Sequence, residues 1–498
     1  MILVINVGLK NARCILFDSK GNEKFNYSKP IKTSLKNKFV EQSVKEIENK
    51  TISILKKIPK KYSRNITYIT VTTSACCLVC LDSSGKPLTN SIIVSDTRSV
   101  EQCKKINKFL KTNNNNNIQC RPDLMLPKIL WIKENKRKIY NKTFKFLNIG
   151  DFLSYKITQK IFTDSYNASK FILTKNKKIY NHKLYKYFGL EISKLPTISD
   201  NKIFNLCPNF KRQFKINNSC KFVQTSYDAI ASMLGCGSKY SGDLGDMSGT
   251  VSNMRILCSK KPKGISKNLY SFNHPFEKKY IIGGSNNLGG GIIEWLKNVF
   301  YLEKNFNYKD LDKIKAKDFH SLIFLPYLMG ERAPIWDEKL RGVLFGLSKS
   351  HGKDELMMGI FSGMGYSLKF MIEEIEKFTK LKVKKIFVSG GLSRINNINQ
   401  IKSDITNKKV IQLNNYETTS VGAAIWVEKV VTKISLNKLQ KKYLKIKKIY
   451  NPNFGQNQRY MESYKIFKKL NLILKDIQHL NYKNNLYFKN KKKVLLNL

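Results

Sequence analysis

The sequence predicts an α/β protein of more than one domain. Residues Ile2–Ile5 and Ala12–Phe17 are apolar and rich in strand-forming side chains, and Asp18–Gly21 after them has the composition of a hairpin turn. Apolar residues then recur at helical spacing over Ser43–Ile58. Because strand, hairpin, helix and strand follow one another, we expect a mixed sheet covered by helices. The length of 498 residues is enough for two or three domains.

The rest of the first half continues this alternation. Ile66–Thr72 and Cys77–Leu81 have strand composition, and Asp82–Pro87 resembles the earlier turn, so we expect a second copy of the first hairpin. The later elements that we expect are a strand over Ser91–Val94, helices from Ser99 and from Pro127, a strand over Phe144–Ile149 and a helix over Asp151–Ile157.

The second half has longer helices and more glycine. We expect a strand from Tyr280 into a glycine-rich turn, a helix over Ile292–Phe300, a long helix over Lys353–Phe378 and a strand over Lys385–Val388. The tail from Leu436 is charged and has a helical pattern, and we expect it to pack on the outside.

The charge balance bears on partners. Lys and Arg number 90 and Asp and Glu 36, a formal net charge of +54. Such an excess is typical of proteins that bind nucleic acid or anionic membranes. Here the excess is mostly lysine spread along the chain, which indicates solvated surfaces, so we expect no nucleic-acid partner. The alternative, a nucleic-acid-binding protein, predicts one basic face and salt-sensitive binding.

Cysteines and apolar runs bear on the compartment. Ten cysteines without regular spacing indicate a reduced, cytoplasmic protein with buried thiols. The CxxC of Cys77–Cys80 lies in a strand pattern, with no second pair nearby to complete a zinc site. No apolar run has the length of a membrane span, and Met1–Ile5 leads directly into a strand rather than a signal peptide, so we expect no membrane partner.

The stretch Val223–Ser252 contains the first candidate chemistry. Asp228 precedes a run of small and apolar residues with helical character, and Gly249-Thr250 follows after a glycine-spaced connection. An Asp at this position is most often an N-cap. It is also a suitable general base for a hydroxyl, and a glycine turn lets backbone amides approach phosphate oxygens. Both interpretations of Asp228 stay open at this point.

Glycine turns recur at strand ends. Gly8, Gly249 and Gly390-Gly391 each follow a predicted strand, and Gly289–Gly291 precedes a helix. One such turn means little, because glycine is often needed only for a positive φ. Together they indicate backbone amides arranged around an anion. The sequence contains neither GxxxxGK[ST] nor a GxGxxG in a βαβ unit, which argues against P-loop and dinucleotide-binding folds.

Over residues 1–475 these motifs, in this order, resemble the FGGY carbohydrate kinases, the sugar and polyol kinases of the actin and hexokinase-like ATPase superfamily. The motifs that carry the resemblance are Val94-Ser-Asp-Thr-Arg98, Pro127-Lys-Ile-Leu-Trp131, Asp151-Phe-Leu-Ser-Tyr155, Thr163-Asp-Ser-Tyr-Asn-Ala-Ser169, Tyr227-Asp228, Gly249-Thr250, Gly283–Gly290, Gly330-Glu-Arg-Ala-Pro-Ile-Trp-Asp337, Arg341–Leu347, Ser389-Gly-Gly391, and Glu417 with Val421-Gly-Ala-Ala424.

The resemblance implies a fold and an activity. The fold is two actin/hexokinase-like, ribonuclease H-like ATPase domains flanking a cleft, with a sugar-binding domain over 1–242, a nucleotide-binding domain over 243–450 and a helical tail over 451–498. The activity is transfer of the γ-phosphate of ATP to a hydroxyl of a small sugar, with a pentulose such as xylulose as the expected substrate. The implied cofactors are ATP and Mg²⁺, and the implied partners are the sugar, MgATP and a second copy in a homodimer.

The resemblance also implies roles for individual residues. Asp228 matches the general base. For Glu331 and Arg332, a structural ion pair between the domains and a contact with substrate both stay open. The implied sugar contacts are Asp96, Arg98, Ser74 and Cys76, and the implied nucleotide and phosphate contacts are Gly8, Lys10, Arg13, Gly249, Thr250, Gly290, Glu294, Gly390 and Gly391.

The first phosphate turn departs from the family pattern. Asn6 stands where the family has an Asp that faces the metal, and Leu9 stands where it has a hydroxyl. Lys10 and Arg13 can supply positive charge to phosphate, but they cannot replace a metal ligand. The alternative function is therefore a catalytically impaired relative that binds a ligand or acts as a scaffold.

Overall fold

The computed structural model describes residues 1–36, 38–113, 119–174, 179–249, 251–264, 266, 268–287, 289–300, 308–316 and 319–484. The chain forms two compact units. The first contains Met1–Gly235 and Thr419–Tyr443, and the second contains Cys236–Thr418 and the described residues from Leu444 on. The boundaries expected from the sequence differ from these, since they lie at 242 and 450 and separate a tail.

The strands and helices alternate along the chain. Up to residue 235 they are β1 (Ile2–Val7), β2 (Asn11–Phe17), β3 (Glu23–Pro30), β4 (Ser34–Lys36), β5 (Phe39–Gln42), α1 (Val44–Leu55), α2 (Lys60–Ser63), β6 (Tyr68–Thr73), β7 (Leu78–Leu81), β8 (Ser91–Ile92), α3 (Val100–Thr112), α4 (Met125–Asn135), α5 (Arg137–Lys142), β9 (Lys145–Asn148), α6 (Ile149–Thr158), β10 (Phe162–Thr163), α7 (Ser165–Ala168), α8 (His182–Tyr187), β11 (Thr197–Ile198), β12 (Ile203–Asn205), α9 (Pro208–Phe214), β13 (Lys221–Val223) and α10 (Asp228–Gly235).

The elements after residue 235 include the longest helix. They are β14 (Asp243–Ser248), β15 (Ser252–Cys258), β16 (Tyr270–Asn273), β17 (Tyr280–Asn286), α11 (Gly291–Val299), β18 (Ile323–Leu325), β19 (Val343–Phe345), α12 (Lys353–Thr379), β20 (Lys385–Gly390), α13 (Asn396–Thr406), β21 (Lys409–Leu413), α14 (Thr418–Thr432), α15 (Leu436–Tyr443), β22 (Ile446–Tyr450) and α16 (Phe454–Ile473).

Two sheets form most of the first unit. The larger has the order β12-β13-β6-β1-β2-β3, in which β13, β6 and β1 are parallel and the other pairs are antiparallel. The smaller has the order β4-β5-β8-β7-β9. The expected second hairpin is wrong, because β6 and β7 lie in different sheets. Local composition indicates that a segment is a strand, but it does not choose the partner strand.

Helices cover these sheets through apolar faces. Ser43 accepts a hydrogen bond from the amide of Glu46 and caps α1, whose Ile47 and Ile54 are buried in the core beneath. Helix α14 packs tightly on α10: a Cβ at Gly422 would overlap the carbonyl oxygen of Ala231, so only glycine permits this approach. Residues from late in the chain therefore complete the first unit.

The second unit is built on a seven-stranded sheet. Its order is β16-β17-β15-β14-β20-β21-β22, with β14, β20 and β21 parallel. Lys402 on α13 bonds Asp246 on β14 at 2.5 Å, and both side chains are buried. The expectation of a wholly helical, external tail is wrong, because β22 forms the edge of this sheet and Tyr464 and Phe467 of α16 are buried in the core.

Two expectations about side chains and membranes can be compared with the structure. The ten cysteines all lie within the described residues and form no disulfide, and nine of them are buried while Cys207 is half-buried, in agreement with the predicted buried thiols. None of the described helices has the length and apolar character that a membrane crossing requires.

Candidate functional site

The carboxyl ends of β1, β6 and β13 form one edge of the larger sheet in the first unit. The amide of Ser74, which follows β6, donates to the carbonyl oxygen of Val7 at 3.1 Å. The hydroxyl of Thr72 donates to the carbonyl oxygen of Ser226 at 2.9 Å. This edge of parallel strands is where open α/β sheets place their ligands. It brings together the turn after β1, Ser74 and the start of α10 with Asp228.

Asp228 and Ser74 are in direct contact. Ser74 Oγ donates to Asp228 Oδ2 at 3.2 Å, although 154 residues separate the two. The Asp228 side chain is half-buried, and Ser74 is buried. The amide of Ala231 donates to the carbonyl oxygen of Tyr227, so Tyr227 has the N-cap position and Asp228 is the first helical residue. The N-cap interpretation of Asp228 is thus wrong by one residue.

A second acidic residue, Asp164, is hydrogen-bonded to the segment before α10. Asp164 accepts a hydrogen bond from Ser226 Oγ at 2.7 Å and also binds the amides of Tyr166 and Asn167. Burial raises the pKa of Asp164, and its hydrogen bonds oppose that shift. Since Ser226 lies two residues before Asp228, this network helps to fix the start of α10.

Asp96 and Arg98 form a buried ion pair. Arg98 Nε and Nη2 donate to the two carboxylate oxygens of Asp96 at 2.9 and 2.7 Å, and Nη2 also contacts Glu41 at 2.7 Å. The guanidinium carbon lies 4.5 and 5.0 Å from the ring centroids of Phe39 and Trp131, which contact each other edge-on. Asp96 additionally accepts the amide of Val40 at 2.6 Å. These contacts hold the segment around Asp96 and Arg98 in place. A contact of either residue with sugar stays a prediction.

Cys76 lies in the segment between β6 and β7. Its thiol is buried in a core cluster with Leu78 and Cys80, and burial raises its pKa. The backbone at Cys76 has φ of 62°, a left-handed conformation that is uncommon outside glycine. The predicted sugar contact through Cys76 also stays a prediction, because the side chain belongs to the core.

The turn after β1 is tight and open to ligands. The amide of Gly8 donates to the carbonyl oxygen of Asn11 at 3.0 Å, and Gln42 Nε2 donates to the carbonyl oxygen of Leu9 at 2.6 Å. A Cβ at Gly8 would meet only ordinary contacts, and its φ is not positive. The fold does not require glycine there, as expected where a phosphate approaches the backbone. Lys10 is exposed, and Arg13 on β2 is half-buried.

Three glycine turns of the second unit lie together. Gly249 follows β14 and Gly390 ends β20, and Ser248 pairs with Gly390 across the parallel strands. The amide of Gly290 donates to the carbonyl oxygen of Gly249 at 2.6 Å. Gly390 has φ of 82°, and a Cβ there would overlap the carbonyl oxygen of Ser248, whereas a Cβ at Gly249 would meet only ordinary contacts.

The remaining residues predicted to contact the nucleotide stay predictions. Gly391 begins a short 3-10 helix after β20, and Glu294 is exposed in the first turn of α11. Thr250 lies outside the described residues. The three turns that contain Gly249, Gly290 and Gly390 are the part of the predicted nucleotide site that the structure brings together.

Glu331 and Arg332 both bind Asn287 beside the glycine-rich turn. The Glu331 carboxylate accepts the amides of Asn287 and Arg332 at 2.9 and 2.7 Å, and Arg332 Nε donates to Asn287 Oδ1 at 3.0 Å. Burial raises the pKa of Glu331 from 4.5 to about 7, although the amides lower it. Arg332 contributes only a weaker charge interaction with Glu331.

Family models match both halves of the chain. Residues 1–235 match the model described as FGGY family of carbohydrate kinases, N-terminal domain, and residues 247–427 match the C-terminal domain. The chain belongs to the FGGY family of carbohydrate kinases. It is an ATP-dependent sugar kinase, and the predicted α/β fold with two kinase domains is confirmed.

Individual relatives of this carbohydrate kinase agree. It is 26% identical over 446 residues to a gluconokinase of Bacillus subtilis, covering 85% of this chain and 86% of the relative. It is 26% identical over 414 residues to a xylulose kinase of Lactococcus lactis, covering 81% and 82%. Solved structures show the same fold: a xylulose kinase from Lactobacillus acidophilus has a TM-score of 0.84 at 22% identity, covering 95% of this chain and 98% of that one. A Plasmodium falciparum glycerol kinase with ADP has a TM-score of 0.81 at 20% identity, covering 95% and 99%.

The magnesium predicted for this kinase has no carboxylate ligand at position 6, where the chain has Asn6. Asn6 Nδ2 donates to Ser420 Oγ at 3.1 Å, so the residue offers an amide oxygen rather than a carboxylate. Among the residues that the structure describes, no group of three or more His, Cys, Asp or Glu side chains could hold a metal. Magnesium therefore stays a prediction, as part of the MgATP substrate.

Sequence reasoning did not identify two polar residues of the sugar kinase. Ser420, the partner of Asn6, is buried on α14, and nothing in its local sequence links it to β1. Lys128 is fully buried on α4 and binds backbone carbonyls. A lysine within the apolar run Met125–Ile132 was a signal that could have found it.

Proposed function

We propose that this enzyme transfers the γ-phosphate of MgATP to a hydroxyl of a pentulose such as xylulose, with Asp228 as general base. The observation that carries the proposal is the hydrogen bond from Ser74 Oγ to Asp228 Oδ2, 3.2 Å long, at the carboxyl edge of the parallel strands. A carboxylate oriented in this way is able to accept a hydroxyl proton during in-line transfer.

The chemistry needs one proton acceptor and a phosphate cradle. The sugar oxygen forms a bond to the γ-phosphorus while the bond from that phosphorus to the ADP oxygen breaks, and ADP leaves with the electron pair. The proton of the hydroxyl passes to Asp228 Oδ1, since Ser74 orients Oδ2. The turns of Gly8 and Gly249 have no side chain at the glycine, which lets phosphate oxygens approach the backbone closely. No step is assigned to a metal bound by the protein.

A neutral sugar suits the charges of the predicted sugar contacts. The Arg98 guanidinium is already balanced by Asp96 and Glu41, so it offers no unbalanced positive charge to a carboxylate substrate. Xylulose kinases are frequent among the similar proteins. The second candidate substrate is an aldonate, because the ammonium of Lys170 lies 5.0 Å from the ring centroid of Tyr227, next to Asp228. The described residues give no observation that favours the impaired scaffold alternative.

The test is a coupled ADP-release assay with xylulose, ribulose, gluconate and glycerol. We expect turnover with xylulose, and we expect Asp228→Asn to lower kcat roughly 10²- to 10⁴-fold, because general-base catalysis is removed. The KM for ATP and the thermal unfolding temperature should stay close to those of the wild type.

Glu101→Gln provides the control, since Glu101 is an exposed acid of the same unit that pairs with Lys104. It should leave kcat unchanged. The proposal fails if no sugar gives turnover above that of Asp228→Asn, and gluconate turnover without xylulose turnover would establish the aldonate instead.

A further inference from the structure

Lys128 is a buried lysine whose ammonium binds backbone. It lies on α4 with 0% of its surface exposed. Nζ donates to the carbonyl oxygens of Cys76 at 2.7 Å, Ile93 at 2.9 Å and Ile92 at 3.5 Å. An ammonium has three N–H donors, so these three carbonyls match its capacity. Burying the ammonium charge costs free energy, and an apolar side chain at this position would avoid that cost. An apolar residue would therefore be more stable here unless the three carbonyl oxygens need a hydrogen-bond donor.

The three carbonyls belong to the two segments that contain the predicted sugar contacts. One segment, Ser74–Cys77, connects β6 to β7 and contains the Ser74 hydroxyl that contacts Asp228. The other, Ile92–Arg98, follows β8 and contains the buried pair of Asp96 and Arg98. The amide of Asp96 itself donates to the carbonyl oxygen of Ile93 at 3.1 Å. One ammonium therefore contacts the backbone of both segments.

The electrostatic surroundings are consistent with an ammonium in this place. Burial lowers the pKa of Lys128, while the thiols of Cys76 and Cys77 and the carboxylates of Asp123 and Asp96 oppose that shift. The carbonyl dipoles point their negative ends at the ammonium, which partly replaces the lost hydration.

We propose that Lys128 is a positioning residue for the sugar substrate: its ammonium ties the Ser74–Cys77 segment to the Ile92–Arg98 segment and so sets the sugar pocket. The inference rests on the proposed function for its substrate, but the tie between the segments is a property of the protein alone. Lys128 acts through the backbone, and Ser74 and Asp96 are the groups that it places.

The same helix offers a matched control. Lys133, also on α4, donates from Nζ to the carbonyl oxygens of Phe188 and Gly189 at 2.6 and 2.5 Å. This is the same chemistry, a lysine ammonium on backbone carbonyls, but the segment that it binds contains no predicted site residue. Lys133 is half-buried whereas Lys128 is fully buried, so a merely structural role for Lys128 predicts a larger loss of stability there, with the KM for ATP and the KM for sugar changed alike.

The experiment compares Lys128→Met, Lys128→Arg and Lys133→Met in the full-length enzyme. Arginine retains the charge, but its planar guanidinium cannot direct three N–H groups from one nitrogen. We expect Lys128→Met to raise the KM for xylulose by about tenfold to a hundredfold, because small displacements of positioning groups have effects of that size. Lys128→Arg should raise it severalfold, and both should leave the KM for ATP within about twofold. Lys133→Met should leave both KM values unchanged.

A second measurement does not depend on the sugar. Hydrogen exchange of the wild type, Lys128→Arg and Lys133→Met without ligand should show faster exchange in both segments for Lys128→Arg only. If the wild type phosphorylates no sugar, the proposed function fails while this result still tests the tie. The inference is overturned if Lys128→Arg exchanges like the wild type in these segments, or if its KM for an accepted sugar is unchanged.

Discussion

The two units have different chemical groups at their predicted ligand contacts. In the first unit the predicted sugar contacts are side chains fixed by other buried side chains, as in the contact of Ser74 with Asp228 and the pair of Asp96 with Arg98. In the second unit the nucleotide-side turns meet through backbone groups, as in the hydrogen bond from Gly290 to Gly249.

The difference follows from the ligands. A sugar has several hydroxyls in a defined arrangement, and directional side-chain donors and acceptors are needed to distinguish them. A phosphate presents equivalent oxygens that backbone amides bind without regard to side-chain identity. Sequence changes should therefore alter sugar choice more readily than nucleotide choice. The second unit does bury one ion pair, Lys402 with Asp246, but this pair ties α13 to β14.

The largest expected effect concerns the paired charges of the first unit. Arg98→Met leaves Asp96 as a buried carboxylate without its guanidinium, and we expect a loss of about 3–5 kcal/mol in the free energy of unfolding. Arg121→Met removes a similar bidentate pair with Asp123. The side chains of Arg121 and Asp123 are 31% and 29% exposed, whereas those of Arg98 and Asp96 are 4% and 0% exposed.

Urea denaturation of the two variants and the wild type makes the measurement. Arg121→Met should cost about 1 kcal/mol or less, because exposed pairs contribute little. If both variants lose the same free energy of unfolding, then burial of the pair of Asp96 and Arg98 does not account for the effect of Arg98→Met.

The next effect concerns the carboxylate of the second unit. Burial raises the pKa of Glu331 from its ordinary value of 4.5 to about 7 in the folded protein, although the amides that it accepts oppose that shift. The folded state therefore holds its proton more tightly than the unfolded state, so stability is greatest below about pH 4.5 and falls as the pH rises to about 7. As the pH rises from 5 to 8, the ionisation of Glu331 should lower the free energy of unfolding by roughly 2–3 kcal/mol.

Glu331→Gln should remove that part of the pH dependence, measured by urea denaturation at pH 5 and pH 8. Glu462→Gln is the matched control, because Glu462 has 72% of its side chain exposed and lies in the same unit. If Glu331→Gln retains the full slope of the wild type, then the slope arises elsewhere.

The smallest effect distinguishes ligand binding from folding at the glycine turns. A Cβ at Gly249 meets only ordinary contacts, so Gly249→Ala should change stability by less than about 1 kcal/mol. It should still raise the KM for ATP severalfold, because the methyl group occupies space next to the phosphate-binding amides. Gly455→Ala on α16 is the control, and it should change neither quantity appreciably. An unchanged KM for ATP in Gly249→Ala would remove this turn from the proposed phosphate site.

Sequence patterns identified most elements because helix and strand periodicities are local. The long helix expected over Lys353–Phe378 extends over Lys353–Thr379, and the helix expected over Asp151–Ile157 extends over Ile149–Thr158. Sequence patterns did not predict which strands pair, because the pairing of β7 with β9 joins residues far apart in the chain.

The candidate site shows the same limit. Asp228 could be singled out from its motif, yet its hydrogen bond to Ser74 joins residues 154 positions apart. Lys128 lies within a family motif that indicates no role for it, because its role depends on carbonyls of two other segments. Backbone acceptors exist at every residue, so a sequence does not mark which of them lack a partner.

The return of residues 419–443 to the first unit has a consequence for synthesis. Ser420 binds Asn6, and Gly422 packs on Ala231, but a ribosome adds these residues only after β14–β21 of the second unit. During synthesis the first unit therefore exposes the apolar face that α14 and α15 later cover. Chaperones bind surfaces of this kind. A gene split after Gly235 would yield a fragment without α14 and α15. The first unit should therefore not be separable at Gly235 as an independent module, for evolution or for an engineer.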